Sequence, residues 1–350
     1  MPGPSTATAH QASSPGAPLL PVRITRRALR PDDVAVRVTH CGVCHSDLHA
    51  LRDPGGTFPL VPGHEFVGEV TAVGEEVRGF AVGDAVAVGN IVDSCGTCDM
   101  CLTEQENYCR EFPTLTYGGR DRHDGSPTLG AYSTAVVVRE RFVHHRPAHL
   151  DPAGVAPLMC AGITVWEPLR RWGAGPGTRV GVVGLGGLGH LAVKLAAALG
   201  AHVTVFTTSA AKAADATALG AHRTVVSTDG EAMAAARGSC DLVLDCVPVA
   251  HDPAPYLRVL ALDGTLCSLG HLGPVTVETT DLLVGRKSLA SAGSGGHRWT
   301  RDLLDFAGRH GVTADVEVLP SAQVGTALER LARGDVRYRF VLDLSDLQHP

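Results

Sequence analysis

Residues 179–199 read RVGVVGLGGLGHLAVKLAAAL, and the rest of the chain can be interpreted outward from this stretch. Arg179 to Val183 is a short, branched, apolar run of the kind buried in a parallel sheet. Gly184-Leu185-Gly186-Gly187-Leu188-Gly189 follows at once, then a helical run from Leu188 to Leu199 that Gly200 closes. A lone G-x-G-x-x-G is weak; placed between a strand and a helix it becomes strong. Gly184 permits the tight turn, Gly186 lets backbone approach a pyrophosphate, and Gly189 lets the helix pack on the strand. Gly187 and Leu188 complete the loop, and the helix start offers free N–H groups and a positive dipole end to an anion.

Downstream, His202 to Phe206 reads as the next strand, and Lys212 to Leu219 as a helix closed by Gly220. Thr224–Val226, Asp241–Asp245, Thr265–Leu269 and Ser288–Ala292 complete six strands, which predicts an α/β, doubly wound Rossmann domain near residues 162–296. A helix (Leu303–His310), a strand (Val316–Leu319), a helix (Val324–Ala332) and a strand (Arg339–Leu344) follow the sixth strand. The tail, 297–350, is therefore expected to return to the first domain.

Upstream, Val34 to His40 alternates as a half-buried strand does, and Phe66–Val73, Ala85–Val88 and Ala131–Val138 are further β-rich runs. Short strands between glycines predict a partly open, barrel-like β domain over residues 22–161. Residues 1–21, rich in Pro, Ser, Thr and Ala, are expected to form a disordered leader. They lack the features of a signal or transit peptide.

A chain of 350 residues exceeds what one core usually supports, so two domains are expected. A net charge of −6 supplies no basic patch for nucleic acid or an anionic membrane. Val180 to Ala201 is apolar enough to suggest a membrane span, but five glycines before His190, that histidine and Lys194 argue against one. Ten cysteines without a secretory signal point to metal or catalysis in a reducing compartment, and to a soluble, cytoplasmic protein.

Cys95-x2-Cys98-x2-Cys101-x7-Cys109 places four thiolates in a loop, the pattern of a closed tetrahedral zinc site at 95–109; an iron–sulfur cluster is the alternative. Cys44-His45-Ser46-Asp47-Leu48-His49, Gly63-His64-Glu65 and an isolated Cys160 offer something different. Two thiolates and an imidazole are the three ligands of one type of catalytic zinc site, with a fourth position left for water or substrate.

An Asp or Glu after the second strand would bind a ribose 2′-hydroxyl. Here Thr207-Thr208-Ser209 follows Phe206, with Lys212 one turn on, so nothing repels a 2′-phosphate. Two charge-assisted hydrogen bonds of about 1.5–3 kcal/mol each would favour NADP(H) by roughly two to four decades.

Together these residues resemble the zinc-dependent medium-chain alcohol dehydrogenases, and within them the cinnamyl-alcohol-dehydrogenase-like branch with its bacterial NADPH aldehyde reductases. The matching stretches are CGVCHSDLH, PLVPGHE, the cysteine lobe ending ENYC, PLMCAGITV, VGLGGLGH, FTTSxxK and RGDVRYRFV. The resemblance implies a GroES-like catalytic domain and a Rossmann domain, two zinc ions and NADP(H). The substrate would be a small-molecule aldehyde or alcohol, and the chain a homodimer. It implies Cys44, His64 and Cys160 as catalytic zinc ligands, Glu65 as a carboxylate able to approach the metal, and Asp47 as the residue orienting the histidine ligand. His45 would lie near the cofactor pyrophosphate, and Cys41 would be structural. Hydride transfer to an aldehyde builds negative charge on oxygen, and the alkoxide needs a proton; Ser46 can supply it and regain it through the cofactor ribose from His49. A carbon–carbon double-bond reductase on the same scaffold and a non-enzymatic zinc- and NADPH-binding protein are the alternatives. Arg52–Phe58 and Arg110–Gly125, where the family carries bulky pocket residues, read as less aromatic here, and Gly295–Trp299 adds to a pocket expected to be reshaped.

Overall fold

The computed structural model describes residues 3–348 and overturns one expectation at its start. The leader is not disordered: β1 (Ser5–Gln11) and β2 (Leu20–Arg26) pair antiparallel, Ser5 opposite Arg26 and Gln11 opposite Leu20. The run Thr6-Ala7-Thr8-Ala9 alternates, which puts small methyl groups on one face; Ala7, Ala9 and Ala12 are buried. Low bulk hydropathy hid a period-two pattern. Ala12 and Leu60 exchange two backbone hydrogen bonds of 2.9 Å, tying the ribbon down. Residues 1–2 and 349–350 of the expected leader and tail lie outside the described residues.

The chain divides into two compact units, one running to Cys160 and resuming at Gly295, the other spanning Ala161–Ser294. In the first, β3 (Asp33–Val43) is the central strand. Its alternating Val34, Val36 and Val38 are each fully buried, a contribution of about 1.5–3 kcal/mol per side chain. β4 (Phe66–Val73) and β5 (Ala85–Val88) follow. β6 (Ile91–Asp93) and β7 (Thr114–Leu115) form a separate small sheet flanking the four-cysteine loop. β8 (Ala135–Arg139) and β9 (Val143–His145) complete the first pass. β8 begins four residues later than the sequence suggests, because residues 129–134 wrap as a turn around the Arg26 guanidinium. Arg26 donates to the carbonyls of Leu129 (2.6 Å), Gly130 (2.7 Å) and Ala135 (2.7 Å) and to Ser133 Oγ (2.6 Å).

The second unit holds six parallel strands: β10 (Arg179–Val183), β11 (His202–Thr207), β12 (Arg223–Val226), β13 (Cys240–Asp245), β14 (Leu260–Ser268) and β15 (Ser288–Ser291). Their spatial order is β12-β11-β10-β13-β14-β15, so the order reverses between β10 and β13, the position at which such sheets bind dinucleotides. β14 starts five residues earlier than expected, because an irregularity in its pairing with β13 breaks the pattern.

The chain then returns to the first unit. A helix spans His297–His310, and β16 (Val316–Pro320) and β17 (Arg339–Asp343) extend the first sheet to the order β16-β17-β3-β4-β5-β9, with β8 also on β3. That path is open, with β16 and β9 at its ends. The late helix begins six residues before the expected Leu303. The buried Glu106, far away in sequence, accepts from the His297 backbone N–H at 2.8 Å and so caps it. Among the described residues no helix is long and apolar enough to cross a membrane.

Candidate metal centre and cofactor loop

β3 delivers Cys44 to the start of the helix His45–Arg52. That helix starts there because Asp47, at its third position, accepts from the Cys44 backbone N–H at 2.9 Å. The same carboxylate faces the next motif. Asp47 Oδ1 accepts from Gly63 N–H (3.1 Å) and lies 3.1 Å from His64 Nδ1, while Oδ2 accepts from Tyr132 O–H (3.1 Å). Asp47, His64 and Tyr132 are all buried. Gly63 takes φ +95°, and a Cβ there would sit 2.6 Å from Tyr132 Cδ1, so only glycine fits.

With Nδ1 engaged by Asp47, His64 turns Nε2 toward Cys160, 3.2 Å from its Sγ; Cys44 Sγ is 4.0 Å from Cys160 Sγ. These three donor atoms lie within 4.8 Å of one another. Sulfur ligands of a tetrahedral zinc ion, bonded at about 2.3 Å, stand roughly 3.8 Å apart, so the cluster has the dimensions of a zinc ligand set. The hydrogen bond with Cys160 and the positive charges of Arg339 and His64, working against burial, draw the Cys44 thiol well below its ordinary range. Thiolate character is what a metal ligand needs.

Two other expected residues lie on the exposed side of the His45–Arg52 helix. Ser46 is exposed, with Oγ 3.6 Å from Cys44 Sγ, and His49, one turn on, is exposed as well; His45 is half-buried. Glu65, expected as a carboxylate able to approach the metal, is engaged elsewhere in this arrangement. Its carboxylate is ion-paired with the Arg339 guanidinium, and it falls outside the three-donor cluster. Both side chains are buried, and burial pushes the Glu65 carboxyl up to about 8 against the pull of Arg339. The RYRFV stretch by itself gives Arg339 no role, and neither Tyr132 nor Tyr117, whose ring stands edge-on to His64 at 5.6 Å, is marked by its sequence neighbours. The only local signal for Arg339 was a cation at the head of an otherwise apolar strand.

Cys95, Cys98, Cys101 and Cys109 converge to within 4.8 Å, with Sγ separations of 3.8 Å (Cys95–Cys101) and 3.5 Å (Cys98–Cys101). Backbone N–H groups of Thr97 and Cys98 draw the Cys95 thiol down to about 6. Four sulfurs so placed would close the coordination shell of a tetrahedral zinc ion. Cys41 joins neither group and is buried in the core.

In the second unit, Gly184 takes φ +83°, and a Cβ on Gly189 would lie 1.9 Å from the Gly184 carbonyl oxygen; nothing lies within 4 Å of one on Gly186. The turn needs the first and third glycines, and the second leaves open space for a phosphate. β11 runs one residue longer than expected, to Thr207, whose buried hydroxyl accepts from Ser209 N–H at 3.3 Å. That leaves Thr208 exposed and Ser209 half-buried. Lys212 Nζ donates to the Leu185 carbonyl at 3.3 Å, which holds the cation over the glycine loop.

The alcohol dehydrogenase GroES-like domain matches residues 30–148, and the zinc-binding dehydrogenase domain matches residues 187–309. The aldehyde reductase YahK of Escherichia coli is 47% identical over 334 residues, covering 93% of this chain and 95% of its own. The NADP-dependent alcohol dehydrogenase C 1 of Mycolicibacterium smegmatis is 45% identical over 350 residues, covering 98% and 99%. A cinnamyl alcohol dehydrogenase of Sorghum bicolor superposes with a TM-score of 0.94 at 42% identity, covering 97% and 98%. With the donor cluster, the glycine turn and these matches in agreement, the chain belongs to the zinc-binding alcohol dehydrogenases.

Proposed function

We propose that this protein is an NADP(H)-dependent aldehyde reductase and alcohol dehydrogenase, interconverting a small aldehyde and its primary alcohol by reversible hydride transfer. The observation that carries this reading is the Cys44–His64–Cys160 cluster: three donors, His64 oriented by Asp47 from behind, one fewer than a closed zinc shell takes. Zinc bound there would act as a Lewis acid toward a carbonyl oxygen. The four-cysteine group would hold a second zinc with no part in the chemistry.

The chain's own residues divide the remaining work. Ser46, exposed beside Cys44, donates a proton from Oγ to the developing alkoxide, and His49, one turn along, returns it from solvent. Gly184, Gly186, Gly187, Leu188 and Gly189 cradle the pyrophosphate. Thr208, Ser209 and Lys212 take the 2′-phosphate; Thr207, buried, shapes the turn. Substrates would be aromatic, allylic or aliphatic aldehydes. A screen of NADPH oxidation over all three classes, run with metal analysis, tests the proposal; no turnover by protein holding two metals per chain would overturn it. Equal kcat/KM for NADPH and NADH would overturn the cofactor assignment.

A homodimer and a cytoplasmic location belong to the same proposal. β15 ends its sheet, and Leu262, Leu272, Leu283 and Val284 of the same unit are exposed, an apolar surface that pairing of two edges would cover. All ten cysteines are free, as a reducing compartment requires. Light scattering that gives a monomer at micromolar concentration would overturn the dimer.

A further inference from the structure

We infer that Tyr132 is a positioning residue of the Cys44–His64–Cys160 site, and that the amino-terminal ribbon holds it in place through Arg26. The inference rests on the zinc reading above and adds residues behind the ligands. Asp47 meets Cys44 N–H, Gly63 N–H, His64 Nδ1 and Tyr132 O–H in turn. The first two are backbone groups and the third belongs to a ligand. Tyr132 is therefore a side chain from outside the ligand motifs that helps to fix the carboxylate, and the Tyr117 phenol lies against the same charge. Burial, together with the nearby Asp47 charge, pushes its pKa well above the ordinary phenol value, so the hydroxyl stays a donor.

The turn carrying Tyr132 is laced to the segment before His64. Gly130 N–H donates to Val61 O (2.7 Å), Tyr132 N–H to Pro62 O (2.9 Å) and Ala131 N–H to Gly63 O (2.9 Å). Arg26 closes the turn from the other side with its four bonds to Leu129, Gly130, Ser133 and Ala135. No carboxylate shares that buried guanidinium in any of these bonds; its acceptors are three carbonyls and one hydroxyl, so its hydrogen bonds serve to shape the turn. β1 adds a 2.8 Å bond from His10 N–H to Tyr132 O. A continuous path thus runs from the ribbon through the turn, Tyr132 and Asp47 to His64 Nδ1. Groups behind a ligand orient it and raise metal affinity, and losing a directly bonded one costs about 10–100-fold. Tyr132 stands one bond further back.

The test is metal release from the full-length holoenzyme to a chromogenic chelator. Wild-type protein should release two metals per chain in two phases, and Cys44→Ser should remove the phase belonging to the three-donor site. Tyr132→Phe keeps the ring against Gly63 and removes only the hydroxyl. It should speed that phase about three- to tenfold, below the range for a directly bonded partner, and leave the cysteine-lobe phase unchanged. Substituting Co2+ should show the same change as an altered visible absorption band. Arg26→Lys keeps the charge but cannot make the four bonds, and should speed the same phase alone. Release from Tyr132→Phe at the wild-type rate overturns the role of Tyr132, whereas a wild-type rate for Arg26→Lys overturns the clamp. Wild-type protein holding metal only in the cysteine lobe overturns both this inference and the zinc reading beneath it.

Discussion

The two cysteine-rich regions of the first unit are built on opposite plans. Cys95, Cys98, Cys101 and Cys109 lie within fifteen residues and meet in one loop, two of them only half-buried, and offer a donor for every position of a tetrahedron. Cys44, His64 and Cys160 come from three separated segments, sit deeper, and need Asp47, Tyr132 and a glycine at φ +95° to face one another. Ligand sets close in sequence cost little chain entropy to assemble and can be placed on a surface loop. A set with an open position has to be imposed by a packed core, since its missing ligand cannot help to hold it.

The largest effect that would break this contrast is stripping the cysteine lobe. Structural zinc contributes about 10–16 kcal/mol in isolated peptides, as much as the whole stability of a domain. Cys98→Ser should therefore unfold residues 95–109, uncap the helix His297–His310 through loss of Glu106, and lower the thermal midpoint; an unchanged midpoint would show that the lobe needs no metal. Cys44→Ser should do the reverse. Turnover should fall by about three decades, several kcal/mol of transition-state stabilisation, while the fold and NADPH binding persist. Residual activity within tenfold of wild type would mean that the chemistry does not need this cluster.

A smaller effect belongs to the cofactor loop. Lys212→Ala removes one charge-assisted contact of about 1.5–3 kcal/mol, so the preference for NADPH over NADH should drop roughly ten- to a hundredfold, read as the ratio of kcat/KM values. A ratio that does not move would take Lys212 out of the phosphate site.

The smallest effect sharpens the contrast by pH. His144 stacks on His297 at 5.0 Å beside the lobe, and burial, assisted by the nearby His297 and Arg301 charges, lowers its pKa to about 3. The unfolded chain takes up this proton near pH 6.5 and the folded chain only near 3, so stability is unaffected above 6.5 and falls as the pH drops below it. At pH 5 the loss is about 2 kcal/mol. Denaturant melts of His144→Phe should lack that fraction of the acid slope; identical slopes in the two proteins would show that His144 is already charged in the fold.

How much of this was legible varied with distance along the chain. The Rossmann strands were readable because each is a short apolar run bounded by glycine, and the predicted β10 matches the observed strand residue for residue. The helix start at His297 was hidden because its cap, Glu106, lies 191 residues away. The ribbon was misread for a related reason: alanines at alternate positions have little hydropathy of their own, and they are buried by joining the core cluster that also holds Leu60 and Tyr132. Arg339 lay in a matching stretch that gave it no role, and Tyr132 carried no motif. Each is defined by its contacts, Arg339 with Glu65 and Tyr132 with Asp47.

The sequence by itself determined the chemistry on offer: which side chains can ligate a metal, where a backbone can approach a phosphate, and that no carboxylate follows β11 to repel a second one. Those follow from residue type and short-range spacing, which bond geometry converts directly into local structure. Only the tertiary structure decided which donors meet, that Glu65 faces Arg339, and what stands behind His64. Side chains far apart in sequence acquire a common position only when the core that joins them has packed.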